Sequence, residues 1–274
     1  MKKIDNGNAF DFGLAAEDYA KYRDIYPEEF YNKIYELGFY RKFQRVLDMG
    51  TGSGVLPRNM YKYGSDITAA DISENQIKYA EILSENMGIK YLTGSDLNLK
   101  FDDNTFDCIT ACQCYFYFNH DIFAEKASRW LNPNGKLGMF YMGWLPEEDR
   151  IAQMSENLIR KYNPDWSGYG DYRHKIKLPE IYDDYFKTEC SEIFDVRVPF
   201  TRESWNGRIK ACRGIGASLS KNLIKEFENE HITSAVIKYL FTALIPYLKC
   251  NLMDLQVYHL HEPQSDNAAQ YYNR

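Results

Sequence analysis

Three glycines alternate with hydroxyl residues in Asp48-Met49-Gly50-Thr51-Gly52-Ser53-Gly54, directly after an apolar run over 45–49 and directly before a helix-like stretch over 55–63. Strand, tight turn and helix in that order offer bare backbone to a ligand. Glycine accepts a positive φ, and the amides that open a helix favour electron-rich groups. Position 55, where a G-x-G-x-x-G dinucleotide fingerprint carries its third glycine, holds Val55, and no G-x-x-x-x-G-K-[ST] loop occurs in the chain. Both absences point away from a ligand whose pyrophosphate rests on the helix N-terminus, and they leave a nucleoside without phosphates. Asp48 precedes the glycines, and Asp71 ends the next apolar run. The second acid lies about twenty residues after the turn, where α/β sheets hold a ribose diol.

The elements that position these residues follow from pattern and punctuation. A second strand is expected over 66–72, a helix over 74–86 with Ser73 as N-cap, and a third strand over 89–93 leading into Ser95-Asp96. The fourth strand and its exit span 106–118 and carry Ala111-Cys112-Gln113. A helix over 121–131 is stopped by Asn132-Pro133-Asn134-Gly135 before a fifth strand over 136–144. Strands alternating with helices imply a parallel sheet, with ligands beyond the carboxyl ends of its strands. The 50–54 turn, Asp71, Asp96 and Gln113 all fall at those ends. Farther on, helices are expected over 147–162, 181–186 and most of 203–247, where Leu219, Leu223 and Phe227 mark an apolar stripe. Strands are expected over 192–200 and 252–259. Residues 1–13 read as mobile and 261–274 as a polar, frayed tail.

Taken in order, Asp48-x-Gly50-x-Gly52-x-Gly54, Asp71, Gly94-Ser95-Asp96, Ala111-Cys112-Gln113 and Leu131-Asn132-Pro133-Asn134-Gly135 resemble the class I S-adenosylmethionine-dependent methyltransferases over residues 45–145. The likeness is to the small-molecule type, UbiE-like or trans-aconitate methyltransferase-like. It implies an α/β fold: a Rossmann-like, seven-stranded, mostly parallel sheet with its last strand antiparallel, flanked by helices and capped by helices on the substrate side. The division that follows is an N-terminal helical lid over 1–40, a cofactor-binding core over 41–145, a cap with the sixth strand over 146–250, and a final strand and tail over 251–274. Tyr19-Ala-Lys-Tyr22-Arg23-Asp24-Ile25-Tyr26-Pro27 is similar to a Y-R-x-x-Y-P stretch that closes over the cofactor in relatives. Arg23 then either forks onto the methionyl carboxylate or pairs on the surface with Asp24. By resemblance, S-adenosylmethionine and its product S-adenosylhomocysteine contact Tyr19, Arg23, Asp48, Gly50, Thr51, Gly52, Gly54, Asp71, Ile72, Asp96, Leu97 and Gln113, with Asp96 accepting from the adenine amino group.

Methyl transfer from a sulfonium is an in-line displacement, so alignment and exclusion of water do most of the work, and a base is needed only for a protonated acceptor. Relatives read close to Q-x-x-H-W-F at the fourth-strand exit. Here the stretch is Gln113-Cys114-Tyr115-Phe116-Tyr117-Phe118, so that His is absent. His120, Tyr115 and Tyr117 are the remaining candidates for a base. Trp144, Arg173, Trp205 and Arg208 are candidates for holding substrate; Trp205-x-x-Arg208 resembles a stretch in methyltransferases related to the trans-aconitate enzymes. An arginine facing the pocket makes a polycarboxylate, methylated on a carboxyl oxygen, an alternative acceptor. A non-catalytic protein that senses the nucleoside is the rival from another class.

Composition narrows the partners. With 274 residues, net charge −6 and pI near 5.5, the chain lacks the clustered cations that a nucleic acid demands. Lys2-Lys3 leads into polar residues rather than an apolar secretory core, and no apolar run reaches membrane-spanning length. Cys108, Cys112, Cys114, Cys190, Cys212 and Cys250 include no C-x-x-C pair, so they read as reduced thiols of a cytoplasmic protein without a bound metal. Cys112-x-Cys114 on one strand face could chelate a soft metal, but buried strand cysteine is common and is the favoured reading. The expected partner is a small-molecule acceptor, and the expected assembly a monomer or homodimer.

Overall fold

A computed structural model describes residues 4–24, 26–169, 173, 176–234 and 247–261. Ile25, the 235–246 part of the expected helical stretch and the tail beyond 261 lie outside the described residues. Seven strands form one sheet in the order β3-β2-β1-β4-β5-β7-β6. β1 (Arg45–Met49) lies between β2 (Asp66–Asp71) and β4 (Phe106–Cys112), parallel to both. β3 (Lys90–Thr93) pairs parallel to β2, and β5 (Leu131–Trp144) parallel to β4. β7 (Tyr247–Leu260) runs antiparallel to both of its neighbours, β5 and β6 (Phe186–Pro199). The strand order reverses at β1, and a ligand crevice opens beyond the carboxyl ends of strands flanking such a point.

Residues alternate in address along the central strands, as a period of two requires. Val46, Cys108 and Phe140 pack into one core, while Leu47, Ile109 and Met139 pack into the other, on the opposite face. A sheet covered on both faces explains why β1 and β4 read as nearly continuous apolar runs. Its helices are α3 (Val55–Met60), α4 (Glu74–Leu83) and α5 (His120–Trp130). Ser73 caps α4 through the Gln76 amide, and Asn119 caps α5 through the Ile122 amide.

Four expectations need correction. Residues 4–13 are held in place rather than loose: the Asp11 amide donates to the Ala217 carbonyl at 2.8 Å, and Gln76 Nε2 donates to the Phe12 carbonyl at 3.2 Å. The helix before Asn132-Pro133-Asn134-Gly135 ends at Trp130, as expected, but β5 opens at Leu131 rather than at 136, with that stretch inside it at a register break between the Phe106 and Cys108 pairings. The 181–186 helix is one 3-10 turn, Glu180–Asp184, and β6 starts six residues before the expected 192. The 203–234 part of the helical stretch is two helices, α7 (Arg202–Lys210) and α8 (Lys221–Thr233), joined by turns. Leu219 lies in the connection and Leu223 is exposed, leaving only Phe227 of that stripe fully buried.

The N-terminal α1 (Ala16–Tyr22) packs against both α4 and α7 and so bridges the sheet layer and the cap. Gly207 permits that crossing, because a Cβ there would strike the Tyr22 ring. α2 (Glu28–Glu36) buries Phe30, Tyr31 and Ile34 in the chain's larger core. α6 (Arg150–Tyr162) is opened by Asp149, whose carboxylate accepts from the Ile151 and Ala152 amides. α7 buries Trp205, Asn206, Gly207, Arg208 and Ile209 in succession, so it is enclosed on every side.

Candidate active site

A cavity of about 690 Å³ lies beyond the carboxyl ends of β1, β2, β4 and β5, roofed by the N-terminal segment and α7. The 50–54 turn forms part of its floor. Gly50 and Gly52 face the cavity at φ +66° and +57°, and a Cβ on Gly52 would come within 3.2 Å of the Tyr19 ring. Gly54 does a different job: it stands off the cavity, and a Cβ there would lie 2.5 Å from the Tyr91 hydroxyl oxygen. Its glycine serves packing against β3 rather than approach of a ligand.

Asp71 lines the cavity with both carboxylate oxygens already engaged, one by the Gly52 amide at 2.8 Å and the other by the Ser73 amide at 2.9 Å. Burial raises its pKa, and those two amide bonds work against the rise. The acid therefore shapes the glycine turn as well as facing a ligand, with lone pairs left over for further donors. Asp48 lies beneath the floor, buried, and accepts from the Thr110 hydroxyl at 2.7 Å. Burial pushes its carboxyl up to about 6, against that hydrogen bond. Asp96 faces the cavity and accepts from the Asn119 amide at 2.6 Å. Ile72 lines the cavity with its side chain largely exposed, whereas Leu97, also exposed, does not reach it; Thr51 is likewise off the lining.

Arg23 faces the cavity with its guanidinium 4.6 Å from the centre of the Tyr19 ring. The surface alternative for it is gone, since Asp24 pairs with Arg58 at 3.3 Å. Gln113 lines the cavity in a left-handed backbone conformation, φ +66°, and its side-chain amide donates to the Met142 carbonyl at 2.8 Å. It pins β4 to β5 where both strands reach the site.

The expected substrate residues divide. Trp144, Trp205 and Arg208 line the cavity, with Arg208 4.4 Å above the Trp144 ring. Burial, then the charge of Arg23, pulls the Arg208 pKa down to about 9. Arg173 is elsewhere: it lies on the surface in ion pairs with Glu148 and, at 2.8 Å, with Asp195. Among the candidates for a base, Tyr117 reaches the cavity and Tyr115 and His120 do not. His120 Nδ1 sits 3.1 Å from the Tyr182 hydroxyl, and burial lowers its pKa. Burial pushes the Tyr117 phenol up to about 12 despite Arg213, and the phenol of Tyr141, another wall residue, up to about 12 as well. Neither phenol can be ionised to any extent at neutral pH.

The methyltransferase domain family matches residues 47–139, from β1 into β5. A Dictyostelium discoideum protein named as a methyltransferase is 27% identical over 244 residues, 69% of this chain and 91% of that protein. Residues 47–139 thus carry a methyltransferase domain, and the chain is similar to the class I S-adenosylmethionine-dependent methyltransferases. An uncharacterised methyltransferase of Mycobacterium bovis is 26% identical over 176 residues, 63% of this chain and 65% of that protein. The YcgJ protein of Bacillus subtilis has the same fold, with a TM-score of 0.51 at 16% identity over 86% of this chain and 99% of that one.

Several parts of this methyltransferase's site were not visible in its sequence. Arg213 follows α7, and its guanidinium donates to the Asp5 carboxylate at 2.8 Å, to the Tyr117 hydroxyl at 2.9 Å and to the Ser167 hydroxyl at 3.3 Å. Phe10 and Phe12 stand 5.5 and 6.1 Å from the Tyr117 ring, completing an aromatic roof. Lys126, on α5, donates to the carbonyls of Asp96, Leu97 and Leu99 at 2.6, 2.9 and 3.2 Å and fixes the loop after β3. No spacing rule links these residues, because each contact joins segments far apart in the chain. The Phe10-x-Phe12 pair was the one available signal, aromatic residues in a stretch otherwise read as loose.

Proposed function

We propose that this methyltransferase binds S-adenosylmethionine between the 50–54 turn and α1, and transfers its methyl group to a small-molecule acceptor held beneath the cap. The supporting observation is one cavity in which the glycine turn, Asp71 and Arg23 meet an aromatic wall. Its volume suits small molecules.

In this arrangement Gly50 and Gly52 present main chain to the cofactor, and Asp71 accepts from the two ribose hydroxyls. Ile72 flanks the adenine, whose amino group donates to Asp96. Arg23 forks onto the methionyl carboxylate, and the Tyr19 ring keeps that guanidinium in place. When bound, the cofactor supplies an electrophilic methyl carbon on a sulfonium. The chain's own contribution is to align the acceptor atom with it and to exclude water beneath Phe10, Phe12 and Tyr117. With both wall phenols protonated and His120 remote, no side chain needs to take a proton if the acceptor arrives as a ready nucleophile. Among the described residues no helix is long and apolar enough to cross a membrane, and no cluster of metal-binding side chains occurs.

Isothermal titration with S-adenosylmethionine and S-adenosylhomocysteine, followed by a methyl-transfer screen over small acids, amines, thiols and phenols, tests this. Binding of both and turnover of one class is the expected outcome. No binding of either sinks the proposal, and binding without transfer to any class favours the non-catalytic alternative.

A further inference from the structure

The loop that carries Asp96 follows β3, a strand of 4 residues at the edge of the sheet, none of them fully buried. So short an edge restrains little of what comes after it. The restraint comes from α5, whose Phe123, Ala124, Ala127 and Trp130 are sunk in the second core. Its N-cap, Asn119, donates a main-chain amide to Asp96 Oδ2 at 2.6 Å. Lys126, two helical turns farther along, donates to the Asp96 carbonyl, also at 2.6 Å. One helix thus holds the same residue by its side chain and by its main chain.

An ammonium has three N–H donors, and Lys126 meets three carbonyls with them, those of Asp96, Leu97 and Leu99 at 2.6, 2.9 and 3.2 Å. Its charge also lies 5.7 Å from the centre of the Trp130 ring. Carbonyl oxygens aimed at one point repel one another unless a cation lies between them. Without the ammonium the loop has to turn some of them away, and the Asp96 peptide is the one held most closely. A rotation there swings the Asp96 carboxylate with it.

The direction of that carboxylate is what can tell one purine from another. Asp96 faces the cavity with Oδ2 already engaged by Asn119, so Oδ1 is the oxygen offered to a ligand. An adenine amino group brings a donor to it, whereas hypoxanthine brings a carbonyl oxygen, which a carboxylate repels. Lys126 itself does not line the cavity.

We propose that Lys126 is a positioning residue that gives the site its choice of an amino-bearing purine, acting through the main chain of Asp96. This rests on the cofactor reading proposed above and adds the residue, outside the cavity, that sets its base specificity.

The test titrates S-adenosylhomocysteine and its deaminated analogue S-inosylhomocysteine into the full chain by calorimetry, for wild type, Lys126→Met and Lys126→Gln. Wild type should prefer the adenine ligand by at least about ten-fold. Lys126→Met keeps the stem and removes every donor. It should bind S-adenosylhomocysteine at least about ten-fold less tightly and S-inosylhomocysteine within about three-fold of wild type, so that the preference collapses. Lys126→Gln, with two donors for three carbonyls, should fall between. A residue that only supports the fold would weaken both ligands alike and leave their ratio where it was, and that result overturns the proposal. An unchanged ratio with unchanged affinities overturns it too. If Lys126→Met does not fold, the ratio in Lys126→Gln decides by the same criterion. A wild type that binds both ligands equally removes Asp96 from the base, and the Lys126 proposal with it, but leaves the cofactor reading standing. A wild type that binds neither removes the cofactor reading itself.

Discussion

The Asp5 carboxylate and the Arg213 guanidinium meet at 2.8 Å, with both side chains largely withdrawn from solvent at 3% and 12% exposure. The same guanidinium holds the Tyr117 hydroxyl, so the N-terminal segment, the cap and the cavity wall converge on one cation. Removing one partner of such a pair strands the other charge, at a cost of about 3 to 5 kcal/mol when the site stays closed. The segment has a cheaper response, which is to open. Asp5→Ala should therefore raise amide exchange over residues 4–22 and speed S-adenosylhomocysteine dissociation about ten-fold or more, while exchange in β1 and β4 stays slow. Unchanged exchange at the N-terminus would show that the clasp is incidental.

Asp71→Ala should weaken S-adenosylmethionine binding by ten-fold or more, on the order of 1.5 to 3 kcal/mol. Two losses combine here, the acceptor for the ribose and the anchor of the Gly52 amide. Asp71→Asn keeps one oxygen for the turn, so it should lose less than the alanine variant. Calorimetry on both variants checks this, and equal wild-type affinity in a folded Asp71→Ala defeats the ribose assignment.

His231 is fully buried between Ser155, 2.9 Å from its Nε2, and Asn206, 2.8 Å from its Nδ1. Burial lowers its pKa to about 4, below the unfolded value of 6.5. As pH falls through this window the unfolded chain takes up the proton first, so stability present above pH 6.5 is lost toward pH 4, by about 3 kcal/mol. Asp48 acts with the opposite sign, because its raised pKa makes the folded state take the proton first between about 6 and 3.8. The wild-type slope is a difference of the two. Urea unfolding at pH 7 and pH 4.5 should show a smaller acid loss in His231→Gln than in wild type; parallel curves would mean that His231 contributes nothing to the slope.

With Tyr117 and Tyr141 held protonated and His120 turned to Tyr182, single-turnover transfer to a carboxylate acceptor should be nearly flat from about pH 6 to 9. His120→Ala should leave the profile unchanged. A rate that follows a group near 6.5, and loses that step in His120→Ala, would make His120 the base.

The floor of the site was legible because local rules write it. A glycine turn between strand and helix, an acid at the next strand end and Ser73 as a cap are each decided within a few residues, and they fell where expected. The roof was not, because nothing near Asp5 in sequence announces Arg213, and nothing near Lys126 announces the carbonyls it serves. Arg173 and Arg208 illustrate the limit: both are arginines beyond the matched domain, and only the fold separates the one on the surface from the one in the cavity. The 132–135 stretch was legible in part. Its Pro and Gly stop the helix before it, whereas only the pairing across to β4 shows that the strand has already begun at Leu131.

β7 is the last described strand in the chain, yet it lies between two strands that precede it. During synthesis β5 emerges more than a hundred residues before the partner that will cover its open side, and β6 has no neighbour at all until that partner arrives. For that interval the nascent chain displays an unpaired, apolar ladder of Leu137, Met139 and Phe140 backbone, the kind of edge that captures other strands. Completion of the sheet is thus a late insertion rather than a stepwise extension, and it makes the half-made protein, not the finished one, the form most exposed to aggregation.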